Sequence, residues 1–297
     1  MTGSNSSCIR VSITGDMTLL KPTLATYREY LNYSLKRVGS KYPLVVLYTD
    51  SFPAEGHIAL DTRGIMKRHV PYLLPSVRKD FSNDVRFYDC WSKLAPFSLV
   101  EYKGVVQLHS DMMIIQNMDD HACICNPLHK AHYPKDWAPA NCAYTLQHFN
   151  PEDAQTNGVP TTGLGIPNRG LQVVNPSQAI YDKIIGRIKI ASSVLGYDFA
   201  DQSLLSNLFY GRRVALPYVY NALKTLRWKG DHDAIWQDEN VKNIHYILSP
   251  NPWDEYENPH KGSMGAKQYQ DVSHSWWWTL NRERSKEERG LGIVHRF

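Results

Sequence analysis

The sequence has no long apolar run, no block of like charge and no regular cysteine pattern. No apolar stretch approaches the roughly 18 residues that a membrane-spanning helix needs. The N-terminal residues MTGSNSSCIRVSITGD contain no apolar segment of the kind found in secretory signals. Five cysteines at irregular spacing favour a reducing compartment over a disulfide framework. We therefore expect a cytoplasmic protein with no membrane partner.

The charge balance predicts no nucleic-acid partner. The 297 residues include 33 basic and 29 acidic side chains, for a formal net charge of +4, and like charges are not clustered. This small basic excess is compatible with a local pocket for an anion such as a diphosphate. The composition leaves a homodimer open.

Alternating strand-like and helix-like segments predict a doubly wound α/β fold with a mainly parallel central sheet. Apolar, β-branched runs are typical of parallel strands that are covered on both faces. Ligands of such sheets bind beyond the carboxyl ends of the strands. The predicted strands are 9–14, 43–50, 85–88, 104–108, 171–174 and 241–248. The predicted helices are 23–38, 91–102, 177–193, which starts at a serine N-cap, and one within 198–210.

We divide the chain into a flexible N-terminus (1–8), one domain (9–255) and a C-terminal extension (256–297) that packs on the domain. Within the domain, residues 117–169 are rich in Pro, Asn, His and Cys and form an irregular insertion. Because loops on a rigid sheet usually set specificity, this insertion is expected to shape the acceptor side of a site. The extension contains Trp276, Trp277 and Trp278, which favour packing on the core over binding of a sugar or a partner.

A polar segment, His109-Ser110-Asp111, follows the predicted strand at 104–108. Side chains at positions i and i+2 of a strand point the same way, so His109 and Asp111 could hold a divalent cation that bridges a diphosphate. The spacing alone is equally compatible with a polar strand end that binds nothing.

Three other segments could carry chemistry, and each has a simpler structural interpretation. Asp201-Gln202 opens a helix, where capping alone accounts for an acidic residue. His245 lies on a late strand, where a hydrogen-bonded core histidine is the simpler assignment. The insertion also contains a cluster of cysteines and histidines, which could hold zinc. The spacing of Cys123 and Cys125 departs from the usual C-x2-C pair, which favours a loop with incidental cysteines. The members of that cluster are His121, Cys123, Cys125, His129, His132 and Cys142.

Together, in this order, these segments resemble glycosyltransferase family 8, the glycogenin and galactinol synthase group. The resemblance runs from about residue 9 to residue 253. Its motifs are ITGDMTLLKP, KYPLVVLYTD, VVQLHSDMMIIQNMDD, NRG followed by LQVVNPS, DQSLLSNLF, LPYVYNALKTLRW and VKNIHYILSPNPW, with Lys93 sixteen residues before His109.

The resemblance implies a GT-A type fold, a UDP-sugar donor and Mn²⁺ or a similar ion on its diphosphate. Family members retain the configuration at the anomeric carbon. It implies that His109, Asp111 and His245 bind the metal, and that Asp201 and Gln202 lie nearest the anomeric carbon as the catalytic pair. The implied donor-binding residues are Ile13, Thr14, Gly15, Lys93, Ser110, Asn168, Gly170, Asn221, Asn251 and Trp253. The acceptor is a small molecule or a glycan.

Three departures from the family pattern bear on activity. His109 stands where the family has the first carboxylate of D-x-D, which predicts weaker metal binding that declines below about pH 6.5, where histidine protonates. Asn251 stands where the family has a lysine, and Leu19 where it has a uracil-stacking tyrosine. An active, metal-assisted hexosyltransferase is the first interpretation. The alternative is a weakened or inactive member that binds UDP-sugar and acts as a binding or scaffold protein.

Overall fold

The computed structural model describes residues 8–13, 23–82, 84–117, 142–159, 168–255 and 271–293. Fifteen helices and strands position the candidate site. The strands are β1 (Cys8–Ile13), β2 (Leu44–Tyr48), β3 (Met66–His69), β4 (Gly104–Leu108), β5 (Met112–Ile114), β6 (Leu171–Val174), β7 (Ala222–Leu223) and β8 (Asn243–His245). The α-helices are α1 (Thr23–Arg37), α2 (Ala54–Thr62), α3 (Pro151–Thr156), α4 (Gln178–Ile188), α5 (Ala191–Leu195), α6 (Ala200–Leu208) and α7 (Val272–Gly290).

Five strands form the main sheet, in the order β3-β2-β1-β4-β6. Neighbours from β3 to β4 run parallel, and β6 runs antiparallel to β4. Strands β2 and β4 are apolar and largely buried, as expected for strands covered on both faces. The structure thus confirms the predicted α/β class and its mainly parallel sheet.

A second sheet, in the order β5-β8-β7, lies directly beyond the end of β4. Strand β5 pairs antiparallel with β8, and β7 pairs parallel with β8. In this ladder Met112 lies opposite His245. The late strand is shorter than predicted. Leu248 adopts a left-handed backbone (φ 68°), and Pro250 lacks the N–H that a longer ladder would use.

Two segments before β4 differ from the predicted elements. Residues Val85–Tyr88 form a 3-10 helix, not a strand, and Cys90–Ser98 form a 3-10 helix in place of the predicted α-helix. Pro96 lies inside the second segment, and a proline removes a hydrogen bond that a regular α-helix needs there. Trp91 and Leu94 bury this segment against the main core, where α4 and α6 also pack.

The insertion is more regular than predicted where the structure describes it. A 3-10 helix covers Ala143–Phe149, and α3 follows with Pro151 in its first turn. The helix predicted at 177–193 is two helices, α4 and α5, because the chain leaves helical geometry at Ile190. Ser177 precedes α4 but makes no side-chain cap.

Helix α7 packs on α1 through Trp277, which is 3% exposed and stacks on Tyr30 with ring centroids 4.9 Å apart. Its N-cap Asp271 accepts a hydrogen bond from the N–H of Ser273 at 3.0 Å. Trp277 therefore packs on α1, whereas the domain boundaries and the packing of the extension as a whole stay predictions. Among the described helices, none combines the length and apolar character needed to cross a bilayer.

Candidate metal centre and donor site

His109, Asp111 and His245 each bring one ligand atom to a common point, with all three atoms within 4.8 Å of one another. Oδ1 of Asp111 lies 3.3 Å from Nε2 of His245 and 3.8 Å from Nδ1 of His109. The two imidazole rings meet edge to face, with centroids 5.4 Å apart. Across the described residues, this is the one group of three such ligands.

The junction between the two sheets brings these side chains together. The backbone N–H of His109 donates to the carbonyl of Gly170 at 2.8 Å, which extends the pairing of β4 with β6. The backbone N–H of Tyr246 donates to the carbonyl of Asp111 at 2.9 Å, which extends the pairing of β5 with β8. The chain therefore turns from one sheet to the other within three residues, and both turn ligands face His245.

The ligand atoms of these three side chains suit a divalent cation. Nε2 of His109 and Oδ1 of Asp111 are buried and have no hydrogen-bond partner in the described structure. Buried polar atoms usually have partners, and each exception calls for an explanation. Two imidazoles and one carboxylate suit Mn²⁺, Fe²⁺ or Zn²⁺ better than Mg²⁺, which prefers an all-oxygen set.

A hydrogen-bond chain sets the orientation of His245. The backbone N–H of Gly170 donates to Oδ1 of Asn168 at 2.7 Å, so this oxygen is an acceptor. Nδ2 of Asn221 donates to the same oxygen at 3.2 Å, which turns Oδ1 of Asn221 toward Nδ1 of His245 at 3.0 Å. Nδ1 of His245 therefore carries the proton, and Nε2 faces Asp111 as the ligand atom.

Gly170 packs closely against the metal cluster, which is possible because glycine has no side chain. A Cβ built on this residue would lie closer than 3.0 Å to two ring atoms of His245 and 2.7 Å from Cε of Met112. The imidazole of His245 is hydrogen-bonded to Asn221 and cannot easily move away. A glycine is therefore needed here for close packing against His245.

Its neighbours keep the carboxylate of Asp111 ionised, and burial keeps the imidazole of His109 neutral. Burial alone raises the pKa of Asp111, but its interaction with His245, followed by smaller ones with His109 and Lys93, outweighs burial and holds that pKa below its ordinary value. Burial, and then the charge of Lys93, lowers the pKa of His109 well below its ordinary value. His109 is therefore neutral near pH 6.5, and we now expect metal binding to weaken at a lower pH than the sequence suggested.

Arg169 connects the two predicted catalytic residues to this site. Its guanidinium forms a buried ion pair with Asp201, and both side chains are 4% exposed. Its backbone N–H donates to Oε1 of Gln202 at 3.3 Å, and Nη2 donates to the carbonyl of Lys93 at 3.4 Å. Sequence reasoning missed Arg169, although its place inside the NRG motif marked it as a charged residue beside Asn168 and Gly170.

Asn251 makes its hydrogen bonds within its own loop. With its amide nitrogen turned inward, its side chain donates to the carbonyls of Tyr246 at 2.6 Å and Leu248 at 3.0 Å. Its backbone N–H donates to Oδ2 of Asp254 at 3.1 Å. This side chain is thus directed at backbone carbonyls, and its predicted contact with a donor stays a prediction.

The other predicted donor residues that the structure describes lie around the same edge. Lys93 and Ser110 are partly exposed, and Trp253 is half-buried against Tyr246 and Trp277. Asn168 and Asn221 are buried behind His245. Ile13 is the last residue of β1, whose carboxyl end faces this edge of the sheet. Thr14, Gly15 and Leu19 lie outside the described residues, as do His121, Cys123, Cys125, His129 and His132 of the cysteine and histidine cluster, whereas Cys142 is buried.

Comparisons with known proteins find similar sequences and similar folds. No family model matches the chain. Galactinol synthase 1 of Solanum lycopersicum is 24% identical over 270 residues, which cover 87% of this chain and 78% of that protein. Galactinol synthase 4 of Arabidopsis thaliana is 25% identical over 272 residues, which cover 84% of this chain and 75% of that protein.

Two solved structures share the fold. The galactosyltransferase LgtC, solved with donor and acceptor sugar analogues, gives a TM-score of 0.56 at 14% identity and covers 95% of this chain and 99% of its own. The glycosyltransferase GlyE of Streptococcus pneumoniae gives a TM-score of 0.52 at 15% identity and covers 98% of this chain but 65% of its own, longer chain.

The chain therefore has the GT-A glycosyltransferase fold. More narrowly, it is a homologue of the galactinol synthases over most of its length, which confirms the resemblance to glycosyltransferase family 8. A glycosyltransferase is the class of protein that this fold and these relatives support.

Proposed function

We propose that this protein is a retaining hexosyltransferase that moves a hexose from a UDP-sugar to an acceptor hydroxyl with the help of a divalent cation. The observation that carries the proposal is the cluster of His109, Asp111 and His245 beyond the carboxyl end of β4, in which Oδ1 of Asp111 and Nε2 of His109 are buried without a hydrogen-bond partner in the described structure. In doubly wound sheets this edge is where ligands bind.

His109, Asp111 and His245 would hold Mn²⁺, which, when bound, neutralises charge on the diphosphate of the donor. Lys93 adds a cation on the same side, because its charge reaches both His109 and Asp111. Charge on a departing UDP is stabilised most effectively by groups that are already in place before the bond breaks.

Asp201 and Gln202 would line the sugar side of the site. Because Arg169 pairs with Asp201 in a buried position, we assign Asp201 to holding Arg169 and Gln202 in place rather than to attack on the sugar. Gln202 remains the residue proposed to lie nearest the anomeric carbon. The names of the curated relatives favour galactinol as the product, so UDP-galactose and inositol are the first substrates to test.

The test is UDP release from common UDP-sugars, with and without inositol, in Mn²⁺, Mg²⁺, Zn²⁺ and Fe²⁺. Asp111→Asn should abolish release. Asp50→Asn is the matched control, because Asp50 also follows a strand of the main sheet but pairs with the exposed His69 at 2.7 Å. Absence of UDP release with every donor and metal would overturn the assignment as a transferase.

A second function has its own support. His109 replaces a carboxylate, Asn251 replaces a lysine, and Arg169 neutralises Asp201, which together favour a protein that binds UDP-sugar without turning it over. Calorimetry separates the two functions: binding of UDP-galactose with Mn²⁺, without any UDP release, supports the binding protein.

A further inference from the structure

Lys224 is a buried cation that lacks an acidic partner among the described residues. It follows β7 directly and is 1% exposed, and its neighbour Leu223 lies opposite His245 in the β7–β8 ladder. Its ammonium donates to the carbonyl of Pro250, and no described carboxylate forms an ion pair with it. Two of its three N–H donors therefore have no partner in the described part of the chain. An uncompensated buried charge costs free energy, so this arrangement calls for an anion.

The loop that Lys224 contacts is the one that lacks the expected cation. Pro250 immediately precedes Asn251, the position where the family resemblance expects a lysine. The Asn251 side chain is engaged with the carbonyls of Tyr246 and Leu248 and carries no charge. Lys224 follows the neighbouring strand β7 and reaches the same loop through Pro250. A positive charge is therefore present beside Asn251, although Asn251 does not supply it.

The surroundings of Lys224 are acidic but not in direct contact with it. Burial lowers the pKa of its ammonium to about 8, while the more distant carboxylates of Asp271, Glu255, Asp254 and Asp111 raise it. The register of β7 with β8, which sets the adjacent Leu223 opposite His245, places the backbone of Lys224 beside the metal cluster. An anion bound between the cluster and the loop would pair with this ammonium and stabilise its charged form.

We propose that Lys224 binds the diphosphate of a nucleoside diphosphate donor and supplies the cation that Asn251 does not. This inference rests on the proposed function, since it requires the donor to lie at the metal cluster. The ammonium keeps its bond to Pro250 and directs a free N–H at a phosphate oxygen. A lysine acts there as a point charge and does not need the fork geometry of arginine.

The first experiment compares UDP binding by wild type, Lys224→Met and Lys242→Met with Mn²⁺ at pH 7, measured by calorimetry. Loss of a charged hydrogen bond should weaken UDP binding of Lys224→Met by roughly 10- to 100-fold. Lys242 is the matched control, because it lies just before β8 and its ammonium donates to Tyr220 Oη at 3.0 Å. Its variant should bind UDP like wild type, and Mn²⁺ affinity without UDP should be the same in all three proteins.

A thermal melt separates binding from a merely structural role. Removal of an uncompensated buried charge should leave Lys224→Met at least as stable as wild type. A role limited to bracing Pro250 predicts the reverse: lower stability and unchanged UDP affinity, which would overturn the inference. Adding Asn251→Lys to Lys224→Met should recover UDP binding, because it returns the cation to the same loop.

Proton uptake gives a measurement on the unaltered protein. At pH 8 the ammonium is partly deprotonated, so UDP binding should take up protons, detected as a dependence of the binding enthalpy on the buffer. No uptake, or UDP binding by Lys224→Met equal to wild type, overturns the inference and leaves the proposed function standing. Failure of wild type to bind UDP with any metal overturns both.

Discussion

Oδ1 of Asn221 lies 3.0 Å from Nδ1 of His245, and this contact decides which nitrogen of the imidazole faces Asp111. The amide is itself oriented by Asn168, whose oxygen already accepts from the backbone N–H of Gly170. The backbone N–H of Gly170 can only donate, so it fixes the orientation of both amides in turn. The orientation of the amides then decides that Nε2 of His245 is the ligand atom. Such supporting hydrogen bonds orient metal ligands and affect affinity without touching the metal.

Asn221→Ala should weaken Mn²⁺ binding by about 10- to 100-fold, because His245 loses the acceptor that fixes its orientation. Titration with Mn²⁺ followed by calorimetry measures the change. Asn207→Ala is the control, since Asn207 is exposed on α6. Equal Mn²⁺ affinity in Asn221→Ala and wild type would show that His245 needs no such support.

Gly170→Ala should lower both Mn²⁺ affinity and the free energy of unfolding, the latter by about 1–3 kcal/mol, as expected for an overpacked core. The added methyl group would overlap the ring of His245, which Asn221 holds in place. Denaturant unfolding and Mn²⁺ titration provide the two readouts.

The matched control is Gly186→Ala. Gly186 is exposed within α4 and has open space where a Cβ would stand, so its replacement should stabilise the protein by about 0.5–1 kcal/mol. If both variants behave alike, the close packing at Gly170 has no effect on the site.

His109→Asp should raise the affinity for Mg²⁺ relative to Mn²⁺, because it replaces a nitrogen ligand with the carboxylate oxygen that Mg²⁺ prefers. It should also change the pH profile of Mn²⁺ binding. Protonation of His109 removes its lone pair, so wild type loses Mn²⁺ as pH falls through the lowered pKa of His109.

The midpoint of that loss should lie below pH 6.5 in wild type and should move in His109→Asp. Parallel Mn²⁺ titrations from pH 7.5 down to pH 5 measure both midpoints. Identical profiles in the two proteins would mean that His109 is not a ligand, leaving Asp111 and His245 as the metal-binding pair.

Arg169→Ala should destabilise the protein by about 3–5 kcal/mol, because it leaves the buried carboxylate of Asp201 without a partner. The double variant Arg169→Ala/Asp201→Asn should recover part of that loss, and a double-mutant cycle measures the coupling between the two residues. Arg187→Ala, on the exposed side of α4, should change stability little. A coupling energy near zero would contradict the importance assigned to the pair.

Local patterns account for the parts of the fold and site that the sequence predicted. The apolar run of β4 and the i, i+2 spacing of His109 and Asp111 are properties of adjacent residues, and a strand imposes the same side-chain direction on both. The order of motifs along the chain added His245, which spacing alone did not separate from a core histidine. The 3-10 helix at Val85–Tyr88 was misread as a strand, because three of its four residues are β-branched or aromatic and also suit a strand. The ring of Phe87 instead packs edge to face on Phe81 and Phe199.

The sequence by itself determined the α/β class, the edge of the sheet that carries the site, and the identity of the three metal-ligand candidates. Only the tertiary structure decided what surrounds them: Arg169 against Asp201, Gly170 against His245, and Lys224 against the loop that contains Asn251. These contacts join residues from 26 to 75 positions apart. Hydrogen bonding and ion pairing depend on distances of a few ångströms in space, and no pattern along the chain encodes such distances until both sheets are assembled.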